Sequence, residues 1–117
     1  MNLFKQQLQY FFLAALFSLR SLSAQASSDD VKAIALSKQN ACMGCHALDK
    51  KIVGPSFQSV AKKYANDPAA TAFLKNKILK GGSGSWGVVP MPANNKLSDA
   101  DASLLAGWVL RGAPSAN

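Results

Sequence analysis

The sequence predicts an all-α domain of about four helices. Four stretches place apolar residues at helical spacing, and none alternates in the manner of a half-buried strand. A third observation says that the helices close around something other than one another. Residues 80–96, KGGSGSWGVVPMPANNK, form a loop of 17 residues carrying four of the eight glycines and two of the five prolines, and loops of that length in compact domains are usually functional.

The first helix is expected over about 29–40, capped by Ser28 or Asp29, with Val31, Ile34, Ala35 and Lys38 at helical spacing. The second, about 56–65, sets Phe57, Val60, Ala61 and Tyr64 on one face. In the third, Asp67 supplies a cap, Pro68 suits the first turn and Gly81 marks the end after Phe73, Leu74, Ile78 and Leu79. The last starts at Ser98, has Asp101 in a turn like a capping box, and runs through Leu104, Leu105, Trp108 and Val109 to Arg111 before Gly112 stops it.

Residues 1–26 read as an export signal rather than as part of the fold. Lys5 gives a basic start, Tyr10 to Leu19 is an apolar run of ten residues, and Ala24-Gln25-Ala26 offers a small-x-small cleavage pattern before Ser27. An uncleaved anchor is the alternative, but the run is about half the roughly 20 residues a bilayer crossing needs. The domain is therefore expected over 27–117, soluble and outside the cytoplasm, with no stable membrane insertion.

Removal of Lys5 and Arg20 with the signal leaves 11 basic residues against 6 acidic, a formal charge of +5. The basic residues are scattered lysines with a single arginine, a pattern that disfavours a nucleic-acid groove and leaves a diffuse positive surface. A chain of about 91 residues buries only about 60–65% of its unfolded surface, so a small exported domain commonly needs a staple.

Residues 41–49, ACMGCHALD, contain both cysteines and the only histidine. A structural zinc site requires four ligands, and Cys42, Cys45 and His46 make three. A disulfide between residues three apart closes a tiny loop of little entropic value, and a redox pair of the thioredoxin type expects a βαβ setting that is lacking. C-x-x-C-H is instead the signature of covalent haem attachment. On a helical turn, positions i and i+3 share a face, so two thiols reach one flat ring and the next residue, His46, is carried over its centre.

Beyond the signal only Met43 and Met91 are methionines. Met43 sits between the anchoring cysteines and cannot reach the opposite face, whereas Met91 lies in the long loop between Pro90 and Pro92, which stiffen the backbone around a soft thioether. Ordinary core filling is the alternative reading of Met91, disfavoured once the haem motif is in view. Histidine and methionine together raise the iron potential and occupy both axial positions, which favours electron transfer over substrate chemistry.

With these residues in view, the chain resembles the small bacterial class I cytochromes c of the c-551 and c-552 group. The resemblance runs through ACMGCHALD, IVGPSF at 52–57, GSGSWGVVPMPANN at 82–95 and LSDADASLLAGWVL at 97–110. It implies the class I cytochrome c fold, with one haem c attached through Cys42 and Cys45, His46 as proximal ligand and Met91 as distal ligand. By position it also implies that the Pro55 carbonyl accepts from His46, that Trp86 and Lys77 serve the haem propionates, and that Asn94 lies near the methionine sulfur. Ala106 and Gly107 resemble small contact residues where the terminal helices cross, and Ser37 stands where an aromatic is often found.

The expected function is a monomeric periplasmic one-electron carrier and not an enzyme. Met43, Ile52, Val53, Val89 and Ala93 would frame an exposed haem edge, ringed by Lys38, Lys50, Lys51 and Lys96. The resemblance implies a bc1-type donor and a nitrite reductase, terminal oxidase or peroxidase as acceptor. A dedicated subunit of one oxidoreductase, and a haem sensor or enzyme with a displaceable methionine, are the competing readings.

Overall fold

The computed structural model describes residues 28–116, so the expected signal segment, 1–26, lies outside the described residues. Among the described residues four helices follow in order: α1 at 28–39, α2 at Phe57–Lys63, α3 at Ala70–Lys80 and α4 at Asp99–Leu110. A 3₁₀ turn, Cys42–Gly44, lies between α1 and α2. Among the described residues there is no strand, only two isolated bridges, His46 with Lys51 and Gly82 with Met91.

The packing follows from α4. Ala102, Leu105, Ala106, Trp108 and Val109 are buried along it, and it packs on both α2 and α3. Phe57 and Val60 of α2 join that core, and Leu74 and Ile78 of α3 pack against it. Ser98 caps α4 by accepting from the Asp101 N–H at 3.1 Å. At the other end Gly112, with φ 87°, closes a Schellman motif: its N–H donates to the Val109 carbonyl at 2.9 Å and that of Ala113 to the Trp108 carbonyl at 3.0 Å.

The buried face of α1 differs from the expected one. Val31 is 54% exposed, and Ala35 and Lys38 are exposed too, while Ala33 and Ser37 are sealed at 0% and 2%. Ala33 belongs to the core cluster, and Ile34, one of the expected face residues, packs against it together with Leu36, so the buried face is centred on Ala33 and Ser37 rather than on Val31. Ser37 tolerates this because its hydroxyl donates to the Ile34 carbonyl at 2.8 Å. Two ion pairs fasten α1 to α4: Lys32 to Asp101 at 2.8 Å and Arg111 to Asp30 at 2.7 Å. Gly107 is not required for the approach, because a Cβ there would meet only the Arg111 guanidinium, at an ordinary 3.5 Å.

The start of α3 is also corrected. Asp67 does not cap the helix; its carboxylate accepts from the Ala69 N–H at 2.8 Å in a preceding turn, and the helix starts at Ala70. The short Asp side chain satisfies a local turn sooner than a helix N-terminus two residues further on. The second helix is shorter than expected as well, ending at Lys63 before the turn at Tyr64.

Candidate haem site

The attachment motif is positioned by the way α1 stops. Ala41 takes a left-handed conformation, φ 56° and ψ 24°, and turns the chain into the 3₁₀ turn. The N–H groups of both Cys45 and His46 then donate to the Cys42 carbonyl, at 3.2 and 3.0 Å, so the two cysteines and the histidine occupy a single turn. Both thiols are free and half-buried. The Cys42 thiol packs against the core and its pKa is pushed up by burial.

His46 is fixed from three sides. Its Nδ1 lies 2.7 Å from the Pro55 carbonyl oxygen, which commits Nδ1–H as donor and leaves Nε2 without a partner among the described residues. Phe57 stacks on the imidazole, 5.3 Å between centroids and 21° between planes, and Trp108 meets Phe57 edge-on at 5.5 Å. Gly54 covers the remaining approach, and the Gly54 N–H donates to the Cys45 carbonyl at 2.8 Å. The whole segment 47–55 folds back over the motif.

Met91 is held by backbone rather than by its prolines alone. Its N–H donates to the Gly82 carbonyl at 2.8 Å, and the Gly82 N–H returns a bond to the Met91 carbonyl at 3.0 Å. Just outside, the Asn94 N–H donates to the Ile78 carbonyl at 2.9 Å, tying the loop to the end of α3. Gly81 makes this possible: at φ 67° it adopts a conformation that glycine accepts freely, and a Cβ there would collide with the Met91 carbonyl oxygen.

A cavity of about 410 Å³ separates the two halves, which is cofactor-sized. Of the eight site residues expected from sequence, six line it: Cys45, His46, Pro55, Lys77, Trp86 and Met91. Cys42 and Asn94 do not. Its floor is apolar, built from residues such as Phe57, Val60, Leu74, Ile78 and Val109. Among the described residues no cluster of three or more His, Cys, Asp or Glu side chains is arranged to hold a bare metal ion. The donors suit a flat metallocycle instead: two thiols on one turn, one imidazole with a single free nitrogen, and a thioether from another segment.

Three contributions were not legible in the motif. Gly54 and Phe57 both act on the imidazole through space; they fall within the IVGPSF segment, but nothing in that segment marks either as a neighbour of the histidine. Lys63, the last residue of α2, reaches the Trp86 loop, as described below. The apolar rim is also wider than expected, since Val88 is 91% exposed beside Val89 at 62%.

Comparison with known proteins agrees with this geometry. The family model described as Cytochrome c matches residues 29–112. The chain is 46% identical over 87 residues to cytochrome c-552 of Nitrosomonas europaea, covering 74% of this chain and 79% of that protein. It is 55% identical over 75 residues to cytochrome c-552 of Hydrogenobacter thermophilus, covering 64% and 76% respectively. The crystal structure of wild-type Nitrosomonas europaea cytochrome c552 superposes with a TM-score of 0.65, covering 68% of this chain and 98% of that one. Because the matched span contains the attachment turn, the cavity and all four helices bar one terminal residue, the chain belongs to the cytochrome c family and carries one haem c bound through Cys42 and Cys45.

Proposed function

We propose that the chain is a soluble periplasmic carrier of single electrons, in which His46 and Met91 would hold the haem iron and Trp86 and Lys77 would hold the haem carboxylates. One observation carries this reading: His46 and Met91 come from segments 45 residues apart, line one cavity, and are each pinned by backbone bonds. When bound, the haem supplies one reversible electron between Fe(III) and Fe(II).

The chain's own residues divide the remaining work. Pro55 fixes the imidazole tautomer and presents Nε2, while the Gly82–Met91 pair keeps the thioether segment in place. Two protein ligands leave no open position for a substrate. With the haem held, the apolar lining would keep water from the space beside it, and the indole N–H of Trp86, which has no acceptor among the described residues, would be available to a carboxylate.

Exposed Ile52, Val53, Val88 and Val89 give an apolar contact surface, and Lys38, Lys50, Lys51 and Lys96 are exposed as well. Such a combination suits brief docking with acidic redox partners, in which charge speeds encounter and a small interface below about 1,200 Å² permits release. The partner classes are a bc1-type donor and a nitrite reductase, terminal oxidase or peroxidase acceptor. Export rests on residues 1–26; no helix among the described residues is long and apolar enough to cross a membrane.

Carbon monoxide tests the reading. The reduced holoprotein at neutral pH should leave its absorption spectrum unchanged under the gas, because Met91 occupies the position carbon monoxide needs. Stoichiometric binding would instead support a sensor or an enzyme.

A further inference from the structure

The segment 82–87, GSGSWG, brings Trp86 to the cavity with little structure of its own. Gly82, Gly84 and Gly87 all have positive φ, and the internal backbone bond is Gly84 N–H to the Gly87 carbonyl at 2.8 Å. Trp86 is 42% exposed, so the core does not clamp its indole. Trp108 provides the contrast: it is buried, and its indole N–H donates to the Pro114 carbonyl at 3.0 Å.

What holds Trp86 is Lys63. The Lys63 ammonium donates to the Ser85 carbonyl at 2.7 Å and stands 4.4 Å from the centroid of the Trp86 ring. It is also 5.5 Å from the Tyr64 ring, which packs on Phe73 at 5.4 Å, and Phe73 in turn lies 5.7 Å from the Lys77 ammonium. Two cations thus bracket an aromatic pair along one wall, Lys77 lining the cavity and Lys63 standing outside it.

We infer that Lys63 is a positioning residue: by bonding the Ser85 carbonyl and covering the Trp86 ring, it sets the direction of the indole N–H that meets the haem carboxylate. The inference rests on the role proposed above for Trp86. An ammonium over an indole face is attracted by the ring quadrupole, and a charge-assisted bond to a backbone carbonyl from the same group adds direction. Together they fix both the backbone before Trp86 and the plane of its ring. Arginine reproduces both contacts, because its guanidinium stacks on aromatic faces and donates several bonds. Methionine keeps the aliphatic length and loses both.

The test is hydrogen exchange of the Trp86 indole proton, followed by ¹⁵N NMR in the reduced holoprotein. In the native protein this proton should exchange more slowly than that of a free indole. Lys63→Met should accelerate it about tenfold, while Lys63→Arg should leave it within about threefold of native and the Trp108 indole should be unaffected in both. Native-rate exchange in Lys63→Met overturns the inference and leaves the Trp86 role standing. Exchange at the free-indole rate in the native protein overturns both.

Discussion

Gly54 lies directly against the ring of His46: a Cβ built at position 54 would stand 2.5 Å from Cε1 and 2.9 Å from Nδ1. The imidazole is thus confined between Gly54 and Phe57 while Pro55 holds its Nδ1–H. Gly54→Ala must displace either the ring or the 47–55 segment, at the cost typical of overpacking, about 1–3 kcal/mol. Denaturant unfolding of the holoprotein should show that loss; a change within about 0.5 kcal/mol would mean that the ring is free to move aside.

Gly81 stands in the same relation to Met91. Gly81→Ala meets both the left-handed backbone, costing about 1–3 kcal/mol, and the Met91 carbonyl oxygen, so it should weaken the long-wavelength absorption band of an iron–thioether bond in the oxidised protein. Gly84→Ala is the control: φ is 103° there, but nothing lies within 4 Å of the added Cβ. It should lose stability through the backbone alone and keep the band.

Much of the site was legible because its chemistry is carried by rare residues. Cys42, Cys45 and His46 fall within five consecutive positions, and Met91 is one of only two methionines beyond residue 26. The supporting contacts were not legible, because Gly54, Gly81 and Lys63 act through distances that exist only once the loops have folded. The face of α1 was only partly misread: hydropathy points to Val31, whereas Ala33 and Ser37, four residues apart, form the buried centre with Ile34 beside them. Lys63 follows Lys62 in a helix and reads as solvated surface until its partner, 23 residues on, comes into contact.

The Lys32–Asp101 pair links stability to pH at the junction of α1 and α4. The Asp101 carboxyl is held below the usual carboxylate range, first by the bond from Lys32, and Lys32 is raised by the same bond. A lowered carboxyl pKa contributes stability above its unfolded value, near pH 4, and loses it as pH falls through the folded value. The raised lysine acts in the opposite sense, contributing below about pH 10 and losing that as pH rises through its folded value. Lys32 is exposed and Asp101 half-buried at the surface, so solvent screens the pair; Asp101→Asn should cost little at neutral pH and should flatten the acid limb of thermal stability below about pH 4. An unaltered acid limb would place the sensitivity elsewhere.

Electron transfer to an acidic redox protein should slow by about tenfold or more as salt rises from low to high ionic strength, because the surface lysines accelerate encounter. Lys50→Gln with Lys51→Gln should reduce both the rate at low salt and the steepness of its fall. A salt-independent rate would remove the lysines from the docking surface while leaving the haem site intact.

In the proposed carrier, the two halves of the cavity converge on one iron through His46 and Met91. X-ray absorption at the iron edge of the holoprotein reads this directly. The native protein should show one sulfur neighbour among nitrogens in both redox states, and Met91→Ala should lose that sulfur while keeping the covalently held haem. A native spectrum with nitrogen and oxygen neighbours alone would contradict the account.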